Sequence, residues 1–161
     1  MAQLKKHKRI LPVVVPVVTC LILLFIFGAM PVGAAVSVTV SPDAVAYGII
    51  DLGTSASSGE LTVTNNGDEP ENFSIMSTDA IGSTHNWTLE ATPGNNQFTL
   101  EFSTDSGDNW EYLTTSYQAL VNDVAVDGSV TLLLRITMPS STSDYQEHNI
   151  TVTILAEASG S

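Results

Sequence analysis

His85 and His148, together with acidic clusters at Asp68, Glu69 and Glu71 and at Asp105, Asp108 and Glu111, hold this chain's capacity for proton transfer and metal ligation. The histidines lie 63 residues apart, so a general base or zinc site would need the fold to bring them together beside a carboxylate. Single surface histidines next to strand starts are the simpler expectation for both. The carboxylates could supply oxygen to a hard cation such as calcium, which takes about six to eight oxygen ligands. Asp105, Asp108 and Glu111 are the candidate calcium ligands, although neither cluster follows the D-x-D-x-D-G spacing of a dedicated loop. The chain has no serine elbow, no H-E-x-x-H and no phosphate-cradling glycine loop, so no catalytic residue and no cofactor other than that calcium is expected.

Four of the five basic residues, Lys5, Lys6, Lys8 and Arg9, directly precede an apolar run over residues 10–30. Pro31, Val32, Gly33, Ala34 and Ala35 follow as a small-residue exit. A cationic start, an apolar stretch and such an exit are the parts of an export leader, whose positive end stays in the cytoplasm. Cleavage after Ala34 would use Val32 and Ala34 as the two small positions, and cleavage after Ala35 would use Gly33 and Ala35. An apolar run of 21 residues is also close to what a helix needs to cross a bilayer, so retention as an anchor is the alternative. Pro12 and Pro16 weaken the run as a helix. Residues 1–35 are therefore expected to form a hydrophobic helix serving as signal peptide or N-terminal membrane anchor, and residues 36–158 a folded domain with a short tail at 159–161. Any contact with membrane is expected through the N-terminal segment alone. Cys20, the single cysteine, follows Thr19 and precedes an apolar stretch, unlike a lipoprotein site. Once cleaved, the chain would hold no thiol and no disulfide.

Beyond the leader, 17 Asp and Glu face one Lys or Arg, Arg135, for a net charge near −16. Each phosphate contact needs a cation, so nucleic acid is excluded as a partner. The same charge keeps a secreted domain in solution and repels anionic surfaces.

The elements that must position these residues announce themselves by period two. Val36, Val38 and Val40 alternate with Ser37, Thr39 and Ser41, and Leu61 and Val63 alternate with Thr62 and Thr64. Phe73 and Ile75, Trp87 and Leu89, and Phe98, Leu100 and Phe102 repeat the pattern. Val130, Leu132, Leu134 and Ile136, then Ile150, Val152, Ile154 and Ala156, make the last two strands. Such alternation predicts half-buried strands, with Trp87 pointing inward. Turn-forming clusters fall at 55–59, 65–68, 92–96, 105–109, 127–128 and 139–143. Only 117–126 lacks clear alternation, and a crossover loop or one helical turn is expected there. About seven to nine short strands at this spacing imply an all-β, immunoglobulin-like two-sheet sandwich with Greek-key connections, a closed barrel being the alternative.

The stretch with Ser41-Pro42-Asp43, Tyr47-Gly48-Ile49-Ile50, Leu61-Thr62-Val63-Thr64-Asn65-Asn66-Gly67 and Phe73-Ser74-Ile75 resembles the opening strands of prokaryotic surface immunoglobulin-like domains. Residues 132–139 and 150–156 are similar to their closing strands. The resemblance implies a fold and an extracellular setting and names no ligand. Ser103, Asp105, Gly107 and Trp110 match the S-x-D-x-G-x-x-W pattern of the Asp-box, which physically is a hairpin with Trp110 packed beneath the turn. A sialidase, where such boxes recur, would need an arginine cluster that Arg135 alone does not provide. Sequons at Asn72, Asn86 and Asn149 place the asparagine and hydroxyl residue outward, so glycans would not disturb the core.

The expected function is a non-enzymatic structural or adhesive module outside the cell or at its surface, with itself or other surface proteins as partners. Its most specific form is a filament subunit whose strand at 36–40 completes a neighbour's sheet edge. The competing class is a carbohydrate- or ligand-binding module that would use Trp87, Tyr112, Tyr117 and Tyr145 to hold a glycan. A metalloprotease of the camelysin-like type is the remaining enzyme form, without a compact metal-ligand motif to carry it.

Overall fold

A computed structural model describes residues 35–160 and the backbone of residues 10–14. The described residues are all-β, with two sheets. In chain order the strands are β1 (Ile10–Val14), β2 (Val38–Ser41), β3 (Ala44–Ile49), β4 (Ser55–Ser57), β5 (Leu61–Asn65), β6 (Glu71–Ser77), β7 (Thr88–Leu89), β8 (Gln97–Ser103), β9 (Glu111–Tyr112), β10 (Gln118–Val124), β11 (Ser129–Thr137) and β12 (Ile150–Ala158). One sheet runs β10-β6-β12-β1-β3, and the other runs β2-β5-β11-β8-β7, with β4 joined to β11 and β9 to β8.

The predicted alternation becomes the core. Leu61 and Val63, Phe73 and Ile75, Leu132, Leu134 and Ile136, and Ile150, Val152 and Ile154 are all buried, so the inner faces of both sheets contribute to one apolar cluster. Each fully buried side chain of this size contributes about 1.5–3 kcal/mol relative to exposure. Strand β8 departs from the half-buried pattern, because Thr99, Glu101 and Ser103 are buried along with Phe98, Leu100 and Phe102. It lies between β11 on one edge and β7 and β9 on the other, so both of its edges are paired, and Arg135 bonds the carboxylate of Glu101.

Residues 117–126 form neither a helical turn nor a crossover loop. They contain β10, which pairs antiparallel with β6 through register shifts between Ala119 and Val121 and between Val121 and Val124. Each extra residue flips the following side chains to the other face, which erases period two from the sequence. Asp123, at φ 56°, takes the left-handed conformation at the second irregularity.

The expected N-terminal helix lies outside the described residues except at Ile10–Val14, and those five are extended, not helical. Proline within the run disfavours helix there, as its missing N–H and fixed φ suit a strand margin better. Among the described residues no helix is long and apolar enough to cross a membrane.

Candidate functional site

Strand β3 follows β2 directly, and the bend between them contains the cis Ser41–Pro42 bond. There the chain leaves the β5 edge of one sheet and crosses to the other. In its new sheet β3 has, among the described residues, one ladder partner, β1, with Val14 opposite Ala44 and Val13 opposite Val45. The other edge of β1 pairs parallel with β12, placing Val13 opposite Ile150 and Val14 opposite Thr151. Thus β1, from the N-terminal apolar run, fills a one-strand slot between β3 and β12. Without it, two rows of backbone donors and acceptors would face each other unpaired, the arrangement that accepts an added strand. Val45 and Tyr47 of β3 pack against the core, and the Tyr47 hydroxyl is buried without a hydrogen-bond partner among the described residues. Burial pushes that phenol's pKa up.

The two histidines belong to a second feature, and one of them departs from the surface placement expected. His148 is completely buried, whereas His85 is exposed. The His148 ring stacks on Trp87, with centroids 3.6 Å apart, and its Nδ1 and Nε2 lie 2.9 Å from the Gln146 carbonyl and 3.0 Å from the His85 carbonyl. Residues 148, 150 and 152 share a strand face, so the same alternation that buries Ile150 carries His148 inward. Asp144, absent from the sequence candidates, is buried beside them and accepts the amides of Thr84, His85 and Gln146, each at 2.9 Å. Burial raises its carboxyl pKa, but those amides and the nearby His148 ring more than reverse this and hold it at about 2. Trp87 is buried as its spacing predicts, and its Nε1 donates to Thr142 at 2.9 Å. The Thr84 and His85 amides and the Trp87 indole donate across to Asp144 and Thr142, so the knot ties the segment at 82–87 to the segment at 142–148.

The Asp-box segment is a hairpin turn. The Ser103 hydroxyl donates to Asp105 Oδ1 at 2.6 Å, and Asn109 donates from its backbone to Oδ1 at 2.9 Å and from its side chain to Oδ2 at 2.6 Å. Ser103, then the Asn109 backbone and side chain, hold the Asp105 pKa at about 2. Gly107, at φ 91°, sits over Trp110, where a β-carbon would come within 3.3 Å of the indole. Arg135 covers that ring at 4.2 Å and forms a two-bond pair with Glu101 at 2.8 and 2.9 Å. Among the calcium candidates, Asp105 and Asp108 share this turn, Glu111 opens β9, and both Asp105 oxygens are engaged. Among the described residues no group of three or more His, Cys, Asp or Glu is placed to hold a metal ion.

Tyr112, Tyr117 and Tyr145 are about half exposed. Gln118 donates to the Tyr112 carbonyl at 3.0 Å, tying the segments of Tyr112 and Tyr117 together. Asn86 and Asn149 are exposed, while Asn72 is half-buried and accepts the Asp123 amide at 3.0 Å. No family model matches the chain, and no curated protein is similar to it.

Proposed function

We propose that this chain is a non-enzymatic extracellular structural protein with an immunoglobulin-like sandwich, exported by its leader, that assembles into filaments by strand exchange between copies. One observation carries the reading: among the described residues β3 has no ladder partner except β1, a strand of the N-terminal run. Removing the leader during export would open the slot between β3 and β12 for a strand from a second copy. Strand β2 is the natural donor, since it alternates, lies at the edge of its own sheet and, among the described residues, has β5 as its one ladder partner. It can leave without breaking an interior ladder. An Ala46→Pro change removes a backbone donor from the middle of β3 and tests the reading. Electron microscopy of the exported protein is expected to show filaments for the unaltered chain and folded monomers for the variant. Exported unaltered protein that stays monomeric at high concentration would sink the proposal.

A second reading, glycan binding, draws on the exposed Tyr112 and Tyr117 on linked segments. A glycan array without hits would dismiss it.

A further inference from the structure

Residues 35–37 are strapped to the turn between β5 and β6. The Asn66 amide donates to the Ser37 carbonyl at 2.8 Å and the Asp68 amide to the Ala35 carbonyl at 3.1 Å. In return, the Ala35 nitrogen donates to Asp68 Oδ1 and the Ser37 nitrogen to Glu71 Oε1, both at 2.8 Å. Gly67 allows the close approach, because a β-carbon there would collide with Glu71 Oε1 and the Ala35 carbonyl. The strap thus ends on a nitrogen, that of Ala35, seated against a carboxylate.

The charges at this end are unbalanced. Glu71 is 1% exposed, its Oε2 has no partner among the described residues, and burial, with the charge of Asp68 behind it, raises its pKa against the pull of the Ser37 amide. Arg135, the only Lys or Arg in residues 35–161, is bonded to Glu101 instead. Two neighbouring carboxylates, one buried with an unpaired oxygen, call for a cation, and among the described residues the fold supplies a nitrogen but no charge.

We propose that Asp68, backed by Glu71, is the seat of the α-ammonium group created when the leader is cut between Ala34 and Ala35. Hydrolysis adds water across that bond, leaving a carboxylate on Ala34 and, at neutral pH, an ammonium on Ala35. The Ala35 nitrogen then keeps its bond to Asp68 and gains the charge the cluster lacks. Of the two small-residue sites in the sequence, the one after Ala34 gives a chain that starts on this nitrogen, whereas cutting after Ala35 would discard it. The inference rests on export with cleavage and describes the monomer, in which β2 still pairs with β5.

The full chain is expressed in an exporting host, and the recovered protein is tested by intact mass and by its rate of reaction with an amine-selective reagent at pH 7. Residues 35–161 contain no lysine, so the α-amine is the one primary amine to react. The expected first residue is Ala35. The expected rate is about ten-fold lower than for a free peptide of the same first residues, and largely restored in Asp68→Asn, since a carboxylate at hydrogen-bond distance favours the charged amine. Glu71→Gln, which keeps an acceptor for Ser37, is expected to restore part of the rate. A first residue of Met1 or Ala2 would overturn cleavage and the inference with it. Any other start, or an Ala35 start whose amine reacts as fast as the free peptide's, would overturn the inference alone.

Discussion

Trp87 and His148 lie face to face, their ring centroids 3.6 Å apart and their planes 20° from parallel. The stack closes a knot in which Asp144 gathers three backbone amides from two loops. Replacing Asp144 with Ala leaves those amides without their acceptor inside the protein. A loss of about 3 kcal/mol is expected in urea unfolding, with the slope unchanged. A loss below about 1 kcal/mol would show that the knot does not hold the loops.

Acid should weaken the fold in a defined window. Asp144 and Asp105 are both held at about 2, below the value near 4 of a free aspartate. A depressed carboxyl contributes stability that is present above its unfolded pKa and lost as pH falls through its folded one. The stability gap between the unaltered chain and Asp144→Asn is therefore expected to shrink from pH 5 to pH 2. A gap that stays constant across that range would show that the carboxylate charge adds nothing.

Arg135 stabilises Glu101 and Trp110 together, through two hydrogen bonds and a ring contact. Lysine cannot reproduce the two-pronged pair, so Arg135→Lys should cost about 1 kcal/mol and Arg135→Ala about 2 kcal/mol. Glu101→Gln added to Arg135→Ala should recover part of the loss, since it removes the stranded charge. A double-mutant cycle without coupling would contradict the pairing.

Asp105 spends both carboxylate oxygens on its own turn, so calcium would have to break those bonds to bind. Thermal melts with millimolar calcium and with chelator are expected to give one midpoint. A higher midpoint in calcium, lost in Asp105→Asn, would establish a metal site.

The inner faces of β5, β6, β11 and β12 were legible in the sequence because each strand has one buried and one wet face, which writes period two directly. Strand β10 was not, because its two register shifts scramble that period. His148 could have been read from its spacing to Ile150 and Val152, but its polar neighbours Glu147 and Asn149 resemble a surface loop. Asp144 and the strap at Asp68 and Glu71 left no signal, since both depend on backbone amides that a sequence does not distinguish. The slot between β3 and β12 was equally hidden, as pairing of β1 with β3 and β12 is a matter of topology and not of residue type.

The strand slot is tested most directly by cross-linking. The chain without its leader has no cysteine, so Thr39→Cys on β2 and Ala46→Cys on β3 would introduce its only thiols. Oxidation of the exported double variant under filament-forming conditions is expected to give a ladder of disulfide-linked dimers, trimers and longer species, absent from either single variant beyond the dimer. Filaments whose subunits run only as monomers after oxidation would contradict exchange of β2 into the slot beside β3.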